Sequence, residues 1–133
     1  MSGRLVVVDA SVGVKWFVPE PGRREAMALL RDVAAGELRL AVPHLFIYEV
    51  VRTVRRKAGD ASARAVVAFF ASAGIIPVPP DERMLAAALD ESKRLGCDFY
   101  DACAPAVATL LAASLYSADR KAHSRYPDVT LLG

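Results

Sequence analysis

Two aspartates follow short runs of the kind that form strands. Asp9 comes directly after the apolar run at residues 5–8, and Asp119 follows Leu115-Tyr116-Ser117-Ala118, just past a strand predicted at residues 114–117. Such runs predict strands of a parallel sheet, and in open α/β folds ligands bind at the carboxyl ends of the strands. A carboxylate in that position loses hydration unless a cation compensates its charge. We therefore expect Asp9 and Asp119 at a ligand-binding edge of the sheet.

Two further acids lie in apolar surroundings. Glu49 lies in the apolar half of a predicted helix, and Asp101 lies beside Tyr100 in the first turn of another. Each acid also has an ordinary explanation, because an acid can cap or precede a helix and Glu49 can pair with Arg52 or Arg56. Three or four carboxylates at one edge, however, would repel each other. That arrangement favours Mg²⁺ or Mn²⁺, which prefer oxygen ligands, and hence phosphoryl chemistry in which the metal activates a water.

The elements that must position these acids alternate between strands and helices. Strands are predicted at residues 5–8, 38–42, 75–78, 114–117 and 129–132. Helices are predicted from about residue 11 to just before Pro19 and at residues 23–35, 43–57, 61–73, 81–95, 99–113 and 120–123. The alternation predicts an α/β fold, a three-layer α/β/α sandwich with a central, mainly parallel sheet. The length of 133 residues predicts a single domain over residues 1–133.

The helix predicted at residues 99–113 contains Pro105, four residues after Asp101. Proline has no N–H to donate to the Asp101 carbonyl, and it disfavours a regular helix before it. Two alternatives stay open, because the helix can begin later than residue 99 or can kink. Either would change how the Asp101 side chain is directed. Asp98, one turn upstream, is a spare acid that we interpret as an N-cap.

Four short motifs occur in order along the chain, and each contains one of the four acids. They are Val8-Asp9-Ala10-Ser11-Val12 with Lys15-Trp16-Phe17, then residues 42–50, then Tyr100-Asp101-Ala102, and finally Ser117-Ala118-Asp119-Arg120-Lys121. The acids are 40, 52 and 18 residues apart. In order and spacing these motifs resemble those of PIN domains, in particular the VapC-type toxins of toxin–antitoxin pairs. The resemblance covers nearly the whole chain.

The resemblance implies a Mg²⁺- or Mn²⁺-dependent endoribonuclease that hydrolyses RNA. It places metal ligation on Asp9, Asp101 and Asp119, while Glu49 would be a further ligand or would orient the attacking water. Ser11 matches a hydroxyl of the family beside the first aspartate. At residue 117 a serine stands where the family usually has threonine. Toxins of this type are typically homodimers that a small cognate antitoxin protein neutralises.

Basic residues near the acids have two interpretations. Arg52, Arg120 and Lys121 can hold RNA phosphates, or they can be solvated cations near helix ends, and both alternatives stay open. Arg55 and Lys57 are interpreted as a solvated helix end. Contacts of this kind carry no base specificity, so the target RNA cannot be deduced from them.

Aromatic residues near the acids are interpreted as packing residues. Trp16 and Phe17 in the first helix are assigned to the core, which is the commoner place for such side chains. Tyr48 and Tyr100 each precede a candidate acid. Their hydroxyls could reach the site, but packing is the preferred interpretation.

Other functions are weakly supported by the sequence. The main alternative is a catalytically silent PIN-like module that binds RNA or a partner. Cys97 and Cys103 lack the spacing of a zinc site, and neither a Ser-His-Asp signature nor a glycine-rich phosphate loop is found. The net charge of +2 does not by itself argue for nucleic acid. With no recognisable secretory signal and no apolar stretch long enough to span a bilayer, we expect a cytoplasmic protein without a membrane segment.

Overall fold

Five parallel strands form one central sheet in the order β3-β2-β1-β4-β5. The computed structural model describes residues 3–133, so Met1 and Ser2, the first residues of the segment with no recognisable secretory signal, lie outside the described residues. The strands are β1 Arg4–Val8, β2 Leu38–Pro43, β3 Ile76–Val78, β4 Ser114–Ser117 and β5 Val129–Leu131. The helices are α1 Ala10–Gly13, α2 Arg23–Ala34, α3 His44–Ala58, α4 Asp60–Ser72, α5 Glu82–Leu95, α6 Cys103–Leu111 and α7 Arg120–His123. A 3₁₀ turn at Val14–Trp16 continues α1.

Alternation along β1 divides the core between the two faces of the sheet. Val6 and Val8 belong to one cluster, which α1 to α4 cover and which includes Trp16 and Phe46. Val7 points to the other face and packs with residues of α5 and α6. Helices on both faces of a parallel sheet confirm the predicted three-layer α/β/α sandwich. Within residues 3–133, no helix is long and apolar enough to cross a membrane.

The strand order places a topological switch point between β1 and β4. From β1 the chain passes to β2 and β3 on one side of the sheet, and it then returns to place β4 and β5 on the other. The backbone N–H of Asp9 donates to the Tyr116 carbonyl at 2.9 Å, which holds the ends of β1 and β4 together. Ligands of open α/β sheets bind in the crevice at such a switch point.

The predicted boundaries hold except in the first helix and around Pro105. The first helix was predicted to run to just before Pro19, but it becomes a 3₁₀ turn after Gly13 and ends at Trp16. The other long helices begin and end within one residue of the prediction, whereas α6 spans Cys103–Leu111 rather than residues 99–113. Pro105 therefore lies in the first turn of α6, where a missing N–H is tolerated. Asp101 lies in the turn before the helix, and of the two alternatives left by the sequence the later start is correct. The Asp98 carboxylate accepts the Tyr100 N–H at 3.3 Å within this turn, so its predicted role as N-cap of the helix is wrong.

Candidate active site

A cavity of about 340 Å³ opens at the switch point, and all four predicted acids line it. Its walls come from the end of β1 with α1, from one face of α3, from the turn before α6 and from the segment after β4. The lining residues are Asp9, Ala10, Ser11, Val14, Lys15, Glu20, Glu49, Thr53, Lys57, Asp101, Ala118 and Asp119. Sequence elements far apart in the chain thus place their acids around one space.

Asp9 is fixed by the first turn of α1. Its Oδ2 accepts the Ser11 N–H at 3.0 Å and the Ser11 hydroxyl at 2.6 Å. The ordinary explanation of a strand-end aspartate as a helix cap therefore applies, and the same side chain also lines the cavity. The Ser11 hydroxyl in turn accepts the Ala118 N–H at 2.9 Å, which ties α1 to the segment that carries Asp119.

Asp119 and the buried Ser117 are connected in a similar way after β4. Asp119 caps α7, since its Oδ1 accepts the Ala122 N–H at 3.1 Å. Its own backbone N–H donates to the Ser117 hydroxyl at 3.0 Å. Ser117 does not line the cavity but supports the backbone behind it, so its place is beneath the acids rather than at an RNA surface.

His123 connects Ser117 to Asp101 and was not singled out by the sequence as a site residue. The imidazole is fully buried; Nδ1 lies 2.6 Å from the Ser117 hydroxyl and Nε2 lies 2.6 Å from the Asp101 carbonyl oxygen. Because a carbonyl can only accept, Nε2 carries a proton and donates it to Asp101, while Nδ1 shares a hydrogen bond with the serine hydroxyl. The backbone of Asp101 is thereby attached to the end of β4.

Glu49 approaches Asp9 because α1 and α3 pack closely. A Cβ at Gly13 would lie only 2.6 Å from Cζ of the buried Phe46, so only glycine leaves room for this helix contact. Burial, with the negative charges of Asp9 and Asp101, raises the pKa of Glu49 to about 7.

The charge of Asp101 is also disfavoured in the free protein. Burial raises the pKa of Asp101, and the charges of Asp119 and Asp9 raise it further, while His123 acts in the opposite direction. Carboxylates that destabilise each other's ionised form are a donor set suited to a hard divalent cation. Within residues 3–133, no three His, Cys, Asp or Glu side chains are close enough together to form a ready-made metal site. The type of donor atom thus fits a divalent metal. The side chains themselves lie farther apart than they would around a bound ion.

The cations of the cavity are not those that the sequence favoured. Lys15 and Lys57 line it, and each donates to a different oxygen of Glu20 at 3.1 Å. Lys57 had been interpreted as a solvated helix end, and it does lie in the last turn of α3 with 42% of its side chain exposed. Its amine in addition pairs with Glu20 and lines the cavity, which the sequence did not predict. Arg55 fits that interpretation, since its side chain is 70% exposed and lies 3.7 Å from Asp60.

The three cations proposed for RNA contact lie outside the acidic cavity. Arg52 borders a separate apolar groove on α3. Its charge lowers the pKa of Glu49, but this is the smallest of the effects on that pKa. Arg120 is exposed on α7. Lys121 lines a neighbouring cavity of about 260 Å³ that Asp101 and Asp119 share. Of the three, Lys121 is therefore the one beside the candidate acids.

The aromatic side chains divide between core and surface. Trp16 is buried against Phe46 and donates its indole N–H to the Ala26 carbonyl, as the core assignment predicted. Tyr48 and Tyr100 are 72% and 62% exposed, so their assignment to packing is wrong. They border an apolar groove that is separate from the acidic cavity.

The sequence matches the PIN domain over residues 6–128. A search of curated proteins finds no match. Among solved structures, the fold is similar to a toxin–antitoxin complex from Klebsiella pneumoniae, with a TM-score of 0.71, 17% identity, and coverage of 94% of this chain and 95% of that chain. It is also similar to VapC20 of Mycobacterium tuberculosis, a sarcin–ricin loop cleaving toxin (TM-score 0.66, 18% identity, coverage 82% and 85%). A third similar structure is VapBC2 from Rickettsia felis bound to a promoter DNA fragment (TM-score 0.69, 14% identity, coverage 96% and 96%).

At these identities the solved structures show the fold alone. The match to the PIN domain is of a different kind, because it is made on the sequence and extends over nearly all of it. It agrees with the order of the four acidic motifs and with the three-layer fold around their cavity. The chain belongs to the PIN-domain family.

Proposed function

We propose that this protein is a metal-dependent endoribonuclease and the toxin of a toxin–antitoxin pair. The observation that carries the proposal is the convergence of Asp9, Glu49, Asp101 and Asp119 on one cavity at the switch point of the sheet. Membership of the PIN-domain family supports nuclease activity in general. RNA as the substrate is supported by the fold shared with VapC20, a toxin that cleaves the sarcin–ricin loop.

The metal in this proposal is Mg²⁺ or Mn²⁺, held by Asp9, Asp101 and Asp119 with Glu49 completing the acidic set. The oxygen donors and the unfavourable ionisation of Glu49 and Asp101 support a hard cation at this place. Such a cation, when bound, lowers the pKa of a water and offsets charge on the phosphodiester.

The remaining residues of the site would position these acids. Ser11 holds Oδ2 of Asp9, and His123 holds the backbone of Asp101. Glu49, which lines the same cavity, would take a proton from the attacking water. The water oxygen would bond to phosphorus as the bond from phosphorus to the 3′ oxygen breaks, and the leaving 3′ oxygen would take up a proton from solvent, so the products would carry 5′-phosphate and 3′-hydroxyl ends.

The proposed partners are a cognate antitoxin protein and a second copy of the chain. The similar structures from Klebsiella pneumoniae and Rickettsia felis are toxin–antitoxin assemblies, which supports an antitoxin for this chain as well. The homodimer is supported by the resemblance to VapC-type toxins.

Incubation of the purified protein with total RNA tests this function. We expect cleavage with Mg²⁺ or Mn²⁺, no cleavage in excess EDTA, and recovery when the metal is restored. The cleaved 5′ ends should be substrates for a ligase that requires a 5′-phosphate. Cleavage that continues unchanged in EDTA would contradict the metal. Absence of both Mn²⁺ binding and RNA cleavage would instead support the alternative, a catalytically silent binding module.

A further inference from the structure

A buried lysine lies in the wall of the cavity that the four acids line. The side chain of Lys15 is only 8% exposed, and its stem is closely packed, since a Cβ at Gly22 would lie 3.2 Å from its Cε. Its amine donates to Oε1 of Glu20, while Lys57 donates to Oε2 of the same carboxylate. The three side chains carry a net charge of +1. We call them the lysine pair and its bridging glutamate.

Helix geometry separates this group from the four acids along the cavity. On one wall, Glu49, Thr53 and Lys57 are spaced by four residues on α3 and share one face. The axial rise from Glu49 to Lys57 is about 12 Å, or roughly two turns. On the opposite wall, Ser11 and Lys15 are also four residues apart. The cavity thus has an acidic end and a basic end.

Electrostatic effects support this division. The charges that act on Glu49 are those of Asp9, Asp101 and Arg52. At the other end, burial raises the pKa of Glu20, but hydrogen bonds from Lys57 and Lys15 outweigh it and bring the pKa below its ordinary value. An ion pair as buried as that of Lys15 adds little net stability, because desolvation offsets the attraction. Stabilisation of the segment around Glu20 is therefore a weak explanation for the presence of two lysines here.

We propose that Lys15 and Lys57 form an anion subsite that binds a phosphate of the RNA strand next to the phosphate that is cleaved. Glu20 holds the two amines side by side in the free protein and competes with the incoming phosphate for them. The subsite deepens the proposed nuclease function, on which it rests, because it would lead the strand from the basic end of the cavity to the acids. Lysine acts here as a point charge and selects no base.

Binding of a fluorescent single-stranded RNA oligonucleotide across a salt series tests the subsite. All variants are made in the Asp9→Asn background with Mg²⁺ present, and their folding is checked by thermal unfolding. For Lys57→Gln we expect the slope of log affinity against log salt to fall by about 0.7, with roughly fivefold weaker binding at 0.1 M salt. The matched control is Arg55→Gln, which removes an equal charge from the exposed face of the same helix and should leave the slope unchanged.

A second variant should change RNA affinity in the opposite direction. Glu20→Gln removes the competing carboxylate and keeps an oxygen for the amines, so we expect tighter RNA binding even where thermal stability falls. If Lys15, Lys57 and Glu20 only stabilised the fold, Glu20→Gln and Lys57→Gln would instead both weaken RNA binding. That result, or equal effects of Lys57→Gln and Arg55→Gln, would overturn the subsite.

The two proposals fail in different ways. RNA cleavage by the wild-type protein with no difference between Lys57→Gln and Arg55→Gln would overturn the subsite and leave the nuclease standing. Binding that depends on Lys57 without any cleavage by the wild-type protein would overturn the nuclease, and with it the position of the subsite next to a cleaved phosphate, and would leave Lys57 as part of an RNA-binding site.

Discussion

Nε2 of His123 lies 2.6 Å from the backbone carbonyl oxygen of Asp101 and donates its proton to it. In a regular helix this carbonyl would accept from the N–H four residues later, and that residue is Pro105, which has none. The imidazole thus takes the place of a backbone donor. Pro105 leaves the Asp101 carbonyl without a partner in the helix, and the hydrogen bond from His123 that replaces it connects Asp101 to the end of β4.

His123→Ala should therefore be less harmful when Pro105 is also replaced by alanine. Loss of the buried imidazole should cost the metal-free protein about 2–4 kcal/mol of unfolding free energy. In the Pro105→Ala background the new N–H can donate to the Asp101 carbonyl. We expect that donor to reduce the cost by about 0.5–1.5 kcal/mol in a double-mutant cycle measured by urea unfolding.

His123→Ala should also weaken Mn²⁺ binding by more than its loss of fold stability explains. By fixing the backbone of a proposed ligand, His123 should contribute about 10- to 100-fold to Mn²⁺ affinity. Calorimetric titration of His123→Ala at a temperature where it remains folded measures this, with His44→Ala as the matched control. Unchanged Mn²⁺ affinity in His123→Ala, or an additive double-mutant cycle, would show that the hydrogen bond to Asp101 has no positioning role.

Glu49 should make the stability of the metal-free protein fall with rising pH. Its pKa is about 7 in the folded chain against an ordinary 4.5, so between these values the folded state binds more protons than the unfolded state. The penalty is absent below about pH 4.5 and fully present above about pH 7. Glu49→Gln removes it, so the variant should gain stability over wild type at pH 8 and little at pH 4.5.

Urea unfolding in EDTA at the two pH values measures this difference. The exposed Glu37→Gln serves as the control and should show the same small effect at both. A gain in unfolding free energy for Glu49→Gln that does not depend on pH would mean that burial and the neighbouring negative charges do not disfavour the ionised Glu49 carboxylate. The same titration predicts that Mn²⁺ affinity rises as pH increases through 7, because metal binds the ionised carboxylate.

Gly13→Ala should weaken the contact between α1 and α3. The φ of Gly13 is −58°, so the backbone accepts alanine and only the new Cβ, 2.6 Å from the Phe46 ring, causes strain. We expect a loss of about 1–3 kcal/mol from overpacking, measured by urea unfolding. The double variant Gly13→Ala/Phe46→Leu should recover part of that loss. A single variant more stable than wild type would show that helix propensity, not packing, decides at this position.

Three of the four acids could be placed from the sequence because each is positioned by a nearby, recognisable element. Asp9 and Asp119 follow the runs that form β1 and β4, and Glu49 lies beside the buried stripe of α3. Parallel strands place their carboxyl ends at one edge, so local patterns were sufficient to bring these acids together. The switch point itself depends on strand order, which the structure supplied.

The parts that the sequence did not predict depend on contacts between distant segments. The run from Phe99 is apolar on nearly all sides, and the residue that precedes α6, Ala102, makes no side-chain cap, so the start of the helix could not be located. Lys57 has the local pattern of a solvated helix end, and only its approach to Glu20, 37 residues away, reveals its place in the cavity. His123 belongs to a short polar segment, and its partners on Ser117 and Asp101 are tertiary contacts.

The rate of RNA cleavage by Asp9→Asn tests the central claim most directly. Asparagine keeps an oxygen for Ser11 but removes the charge at the end of β1, so the fold should persist and metal-free stability should hold or rise. With saturating Mn²⁺ and a single-turnover assay, we expect cleavage to fall by at least about a hundredfold, since losing a ligand should cost more than losing a residue that orients one. The exposed Asp90→Asn should cleave like wild type. Full activity of a correctly folded Asp9→Asn protein would contradict the assignment of this acidic cavity as a metal-dependent nuclease site.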